Sequence, residues 1–347
     1  MNTLFNSNGS PVRENGDCST GSANSRSRLL HHRRTLLSLA LAAAAACATT
    51  ALAEEGGGGH YAPGGAASFA DALPGKPALA VANYFMFYDA SASASRTLPF
   101  GGLIAADLQT RAYADTVLAL YETPLKLLGG NYAVGLALPY VWLDVDGKVT
   151  GPLGNTLQTH DTANGFGDLT FYPFMLGWAK GDLKADVRLG IYAPSGDYEK
   201  GQLANVGKNY WTFEPMVSVS WFSSKIGLEA TAFAGLDFST KNEATDYQSG
   251  DVFHLDATVA EHLPLGKHAV IGIGANAFYY QQITGDSGSG AVFGGFEGRT
   301  VGVGPVVSLI TKVCGKDLVE EVKWLPELDV DKRVKGDMVW VKLGMAF

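Results

Sequence analysis

The chain has 347 residues, 46% of them hydrophobic by type, 43 glycines and a formal net charge of −8. An acidic balance of this kind argues against nucleic acid as a partner. No apolar run between Ala78 and Phe347 is long enough to cross a bilayer as a helix.

Residues 1–53 read as a secretory address. His31, His32, Arg33 and Arg34 precede a largely apolar run from Leu36 to Ala46, and Ala51-Leu52-Ala53 offers small residues for a signal peptidase. Cys47 raises a lipoprotein alternative, but Ala44-Ala45-Ala46 lacks the leucine that normally opens such a motif. Cleavage after Ala53 leaves Cys314 as the single cysteine, so no disulfide within one chain can form. It also removes a net charge of +3, and taking that from −8 leaves about −11 for residues 54–347.

Residues 54–77 are rich in glycine and proline and precede the first strand signal. They are expected either to fold into the periplasmic end of the domain as a small plug, with Tyr61 and Phe69 as contacts, or to remain a periplasmic tail. From there to the C-terminus, stretches of period-two alternation predict strands near 78–88, 109–122, 131–143, 165–178, 183–193, 210–222, 225–238, 251–263, 268–281, 300–311, 317–325 and 337–347. Short connections alternate with longer ones near 89–108, 144–164, 194–209, 239–250, 282–299 and 326–336. Strands can span a bilayer only when every backbone group is paired around a ring, so the pattern predicts an all-β fold, an antiparallel transmembrane β-barrel of about 12 strands over 78–347. A soluble sandwich or lipocalin-like barrel also alternates and is the competing expectation.

The faces follow from the cost of placing charge in lipid. Val339, Val341, Leu343, Met345 and Phe347 suit lipid, while Trp340, Lys342, Gly344 and Ala346 suit a lumen. The same logic assigns Asp168, Asp186, Arg188, Glu214, Glu229, Asp237, Asp256, Lys323 and Lys342 to the interior, with Arg111 and Asp115 on one face of their strand. These charges are expected either to satisfy one another or to filter solutes. The first long loop carries Phe100 and Ile104 in an apolar stretch that either packs over the barrel mouth or collects poorly soluble molecules. The terminal aromatic Phe347 resembles the signal read by the outer-membrane barrel assembly machinery.

Chemistry is thinly represented. His254 and Asp256 share a face with His262, but no serine completes a catalytic set. The histidines left after cleavage, His60, His160, His254, His262 and His268, show no close metal-ligand spacing. Asp144 and Asp146 could take a calcium ion or simply stay hydrated. Gly272-Ile273-Gly274 and Gly302-Val303-Gly304-Pro305 sit in strand patterns without the helix a nucleotide site needs. No enzyme activity, metal or cofactor is expected.

Five motifs together resemble one family. They are Gly56–His60 followed by Tyr61-Ala62-Pro63-Gly64, the run Tyr84-Phe85-Met86-Phe87-Tyr88, Gly165-Phe166-Gly167-Asp168-Leu169, Tyr192-Ala193-Pro194-Ser195-Gly196-Asp197-Tyr198, and Gly302–Pro305. Over residues 55–347 the chain resembles the family named for the meta-pathway of phenol degradation, although the extra Gly56–Gly59 makes its opening motif irregular. The resemblance implies an outer-membrane barrel in contact with membrane lipids, and passive passage of small hydrophobic or aromatic solutes. A general small-solute pore and a closed structural or ligand-binding barrel are the alternatives.

Overall fold

The computed structural model describes residues 58–100, 102–150 and 155–347, so the expected signal segment lies outside the described residues. Thirteen strands follow in chain order. The first five are β1 (Ala78–Phe100), β2 (Leu103–Leu127), β3 (Gly130–Thr150), β4 (Thr156–Phe166) and β5 (Leu169–Lys180). Next come β6 (Leu183–Ala193), β7 (Thr212–Ser223), β8 (Leu228–Ser239) and β9 (Val252–Leu265). The last four are β10 (Ala269–Gln282), β11 (Arg299–Val313), β12 (Lys316–Asp331) and β13 (Lys335–Ala346).

Every pairing is antiparallel, and the ring closes where β1 meets β13, from Ala80↔Ala346 to Ser91↔Lys335. Thirteen strands occupy 12 positions in the wall, because β3 pairs with β4 along its outer half and with β5 along its inner half. β4 and β5 are thus one wall position interrupted at Gly167 and Asp168. Closure leaves no sheet edge within the ring, which is what a membrane requires.

Burial alternates as the sequence pattern demands. On β7, Thr212, Glu214, Ser218 and Ser220 are buried, whereas Phe213, Pro215, Val217 and Val219 are exposed. Large exposed apolar side chains recur around the outside, among them Leu136, Leu138, Val259, Ile273, Val307, Val322 and Leu343. They form the lipid-facing belt, and the polar face turns inward. The short turns at 128–129, 181–182, 224–227, 266–268 and 314–315 lie at the same end as Ala78 and Phe347, the periplasmic end.

Three expected loops are strand instead. Residues 89–100 and 103–108 form the paired upper parts of β1 and β2, 144–150 and 156–164 those of β3 and β4, and 326–336 mostly the top of β12 and β13. β2 alone runs 25 residues, against about 9–11 needed for a tilted crossing. The β1–β4 ribbon therefore stands well beyond the hydrocarbon layer. Its inner face carries Ala90, Ala92, Leu98, Ala105, Leu108 and Val145, which pack with Leu203, Ala204 and Val334 from neighbouring connections. This apolar cluster lies at the extracellular end of the barrel. Ile104 pairs with Pro99 and Thr150 within the ribbon and is half-buried. The side chain of Phe100 lies outside the described residues.

Candidate functional site: the plug and its junction with the wall

Residues 58–77 run lengthwise through the barrel without regular secondary structure. A buried segment of this kind has backbone donors and acceptors that no ladder satisfies, and the lumen charges satisfy them. Carboxylates take the N–H groups. Asp256 accepts from Gly64 at 2.8 Å and Glu229 from Phe69 at 2.7 Å. Asp186 accepts from Leu73 at 2.9 Å and Glu122 from Gly75 at 2.7 Å. Cations take the carbonyls. Lys323 Nζ donates to Gly64 O and Ala66 O at 3.0 and 2.7 Å, and Arg188 donates to Asp71 O at 3.0 Å.

Side chains complete the fastening. The Tyr61 hydroxyl donates to Asp256, and the Trp340 indole N–H donates to Pro63 O at 3.0 Å. Lys342 Nζ reaches Ser68 Oγ at 2.9 Å and Asp71 Oδ1 at 2.6 Å. Phe69 stacks on Phe222 with centroids 4.9 Å apart and meets His262 edge-on. Of the two expectations, a periplasmic tail or a small plug in the periplasmic end with Tyr61 and Phe69 as contacts, these contacts agree with the plug, but not with its confinement to that end. The segment reaches instead from Gly58, whose carbonyl accepts from Lys208 Nζ on the outer side, to the periplasmic rim at Pro77.

At its upper end the plug meets the wall interruption. Asp168 is buried between β4 and β5, and three donors converge on it. Gly196 N donates to Oδ1 at 2.8 Å, Lys208 N donates to Oδ2 at 2.7 Å, and His60 Nε2 lies 2.8 Å from Oδ2. The other His60 nitrogen reaches Thr212 Oγ1 at 2.8 Å. The imidazole stacks on Tyr192 and meets Tyr210 edge-on. One carboxylate therefore joins the wall, the plug and the 194–211 connection. Three glycines let the backbones meet there: a Cβ on Gly207 would lie 2.3 Å from Gly196 O, and one on Gly196 would come within 3.0 Å of Gly167. The motifs Gly165–Leu169, Tyr192–Tyr198 and the Gly-rich start ending in His60, far apart in sequence, are brought to this one junction.

Most of the charges assigned to the interior line it. Glu214 on β7 accepts from the Tyr192 hydroxyl at 2.9 Å and stands 3.0 Å from His254 Nε2, with Asp237 of β8 3.5 Å from the same nitrogen. Arg188 pairs with Asp186 at 2.7 Å. Arg111 and Asp115 differ from the expectation and face outward. Arg111 pairs in register with Asp89 and forms an exposed 3.5 Å ion pair with it, on the face of the exposed Tyr113 and Val117. Asp115 is opposite Phe85 on that face and accepts a hydrogen bond from Asn83. The charge rule misleads at Arg111 because the β1–β4 ribbon continues above the lipid, where an outward charge meets water.

Sequence reasoning missed His60, Glu122, Lys208 and Trp340 as plug contacts. Of these, Trp340 had a lumen-facing place in the alternation of β13, and His60 stood at the end of a glycine run. The strands also create carboxylate–histidine groupings that sequence spacing did not suggest. Asp144, Asp146 and His160 meet on the outer surface of β3 and β4, and Glu214, Asp237 and His254 meet inside.

The Lys342–Asp71 tie gives the plug a defined acid response. Burial alone would raise the Asp71 carboxyl, but the Lys342 ammonium, helped by Lys323, outweighs it and holds the group at about 2. A depressed carboxyl contributes its stabilisation in full above its unfolded value of about 3.9 and loses it as pH falls through the folded value. Hydrogen exchange at Ser68–Leu73 should therefore keep its protection, after correction for intrinsic rates, from pH 7 to pH 5. Protection should fall between about pH 4 and pH 2. Protection that declines already between pH 7 and pH 5 would contradict the tie.

The family described as "Putative MetA-pathway of phenol degradation" matches residues 92–343. Among solved structures the chain is similar to the COG4313 outer membrane channel from Pseudomonas putida F1. The identity is 13% and the TM-score 0.54, over 80% of this chain and 97% of that one. It is also similar to the beta domain of the Bordetella autotransporter BrkA, at 13% identity and a TM-score of 0.44, over 78% and 100% of the two chains. At such identities the likeness concerns the fold. No curated protein matches the chain in sequence.

Proposed function

Because this chain belongs to the family described as the "MetA-pathway of phenol degradation" and folds as a channel-like outer-membrane β-barrel, we propose that it passes small hydrophobic solutes, aromatic compounds above all, passively across the outer membrane. The observation that carries the reading is the fastened plug. A segment tied to Asp256, Glu229, Asp186, Lys323 and Lys342 along the lumen narrows the path left for hydrated polar solutes, which supports this reading. The surfaces a solute meets on its way in favour apolar molecules. They are the apolar cluster built on Leu98, Leu108 and Leu203, and beneath it the rings of His60, Tyr192 and Tyr210 at the wall interruption. The lumen charges hold the plug on this reading and do not select ions. No energy-coupling motif stands out in the sequence, so the concentration gradient drives passage.

Reconstituted barrels test this directly. Phenol and its methylated relatives should enter proteoliposomes faster than polar molecules of the same size, after subtraction of permeation through protein-free vesicles. Equal protein-dependent entry of both classes would point to a general pore. A flux indistinguishable from that of empty vesicles would favour a closed structural barrel, the reading that the number of plug ties also supports.

A further inference from the structure

Glu214, Asp237 and His254 come from three adjacent strands and meet behind the plug, each only 1% exposed. His254 Nε2 stands 3.0 Å from Glu214 Oε1 and 3.5 Å from Asp237 Oδ1. Those are the separations of neighbouring ligand atoms around one ion. Bonds of about 2.1 Å place such atoms roughly 3.0–3.4 Å apart in octahedral or tetrahedral geometry.

The other buried imidazoles are each held by one carboxylate through Nε2, whereas His254 Nε2 faces two carboxylates at once. His60 and His262 hydrogen-bond Asp168 and Glu229 through Nε2 at 2.8 and 2.7 Å. His254 Nε2 stands in ion-pair contact with Glu214 Oε1 and Asp237 Oδ1, while its Nδ1 is fully enclosed with no hydrogen-bond partner. Meanwhile Glu214 Oε2 is held by the Tyr192 hydroxyl, which aims Oε1 at the imidazole. Oriented carboxylates of this kind recur around bound metals.

The surroundings hold the imidazole in place. Tyr61 stacks on it with centroids 3.7 Å apart. On another side Gly235 leaves room for it, since a Cβ there would lie 2.4 Å from Cε1 and Nε2. The trio also sits where the wall lacks backbone rungs. The β7–β8 register runs Thr212↔Ser239 and Phe213↔Phe238, then resumes at Met216↔Gly235. The skipped stretch contains both carboxylates, and Pro215 within it has no N–H to give.

We propose that Glu214, Asp237 and His254 bind a structural divalent transition-metal ion, with zinc the best match to one imidazole nitrogen and two carboxylate oxygens. The ion joins β7, β8 and β9 across the gap in the ladder, beside the ring of Tyr61. This role is independent of which solute the barrel passes.

Elemental analysis of barrel purified without chelator from zinc-supplemented cells provides the test, followed by calorimetric titration of chelator-stripped protein with zinc chloride. The expected result is close to one zinc per chain, with a higher thermal midpoint on re-addition. Glu214→Gln and His254→Gln should each weaken zinc binding by at least the ~100-fold that even outer partners of metal ligands can cost. His160→Gln, which disables the exposed Asp144–Asp146–His160 cluster, should leave zinc in place. Heat-modifiable gel migration confirms that each barrel is folded. If the inner variants do not fold, the His160→Gln protein decides: zinc kept at one equivalent supports the inner site, and zinc lost overturns it. Stripped, folded wild-type barrel that shows no heat of binding also overturns it, leaving the trio as an ion-paired histidine.

Discussion

Deleting residues 54–77 should convert the barrel into an open pore, with single-channel conductance several-fold above that of the intact protein. The ring owes nothing to the plug for its backbone hydrogen bonds, because β1 pairs with β13 and every other neighbour pairs in turn. The shortened protein should therefore still show heat-modifiable migration, though with a lower thermal midpoint. Its inner wall would expose Glu122, Asp186, Glu214, Glu229, Asp237 and Asp256 against Lys184, Arg188, Lys323 and Lys342. This acidic excess predicts cation preference in a salt-gradient reversal potential. Unchanged conductance in a folded deletion variant would place the closure at the extracellular cluster of Leu98, Leu108 and Leu203.

Asp168→Ala should produce the second large effect, confined to the junction. It strips the acceptor from Gly196 N, Lys208 N and His60 at once. Each buried donor left without a partner costs about 1–3 kcal/mol, so local opening should accelerate hydrogen exchange in residues 194–211 and 58–62 by roughly a hundredfold or more. The ladders of β9 to β13 should keep their protection. Asp168→Asn should do nearly as badly. Its one oxygen can serve Gly196, but its amide nitrogen would then face the Lys208 N–H, donor against donor. Protection equal to wild type in both variants would remove Asp168 as the organiser of this junction.

The ring was legible in the sequence because lipid imposes a strict period on it. Strands such as β7 and β13 alternate Phe213, Pro215, Val217 or Val339, Val341, Leu343 against polar neighbours, and a one-residue error would put Glu214 or Lys342 in hydrocarbon. Where the wall leaves the membrane that constraint lapses. Residues 89–108 and 144–164 mix polar and apolar types freely and read as loops, although 89–100, 103–108, 144–150 and 156–164 are strand. Arg111 went to the wrong face for the same reason. The plug ties are harder still to read. Asp186 binding Leu73 N, or Lys323 binding Gly64 O, joins a patterned strand to a segment without a period. The inward charges could be named from the sequence, but not what they hold.

The lengthwise path of residues 58–77 has a consequence for the order of events during assembly. This segment precedes β1 in the chain, begins at the outer side beside Lys208 and is enclosed by the seam that joins the first strand to the last, β1 to β13. Threading it into a finished ring would mean drawing its leading end past the apolar cluster, with each buried amide losing water before it met its carboxylate. Laying it along the exposed inner faces of β5 to β13 while the seam is still open avoids that barrier. Closure of the seam is then the step that makes the arrangement permanent.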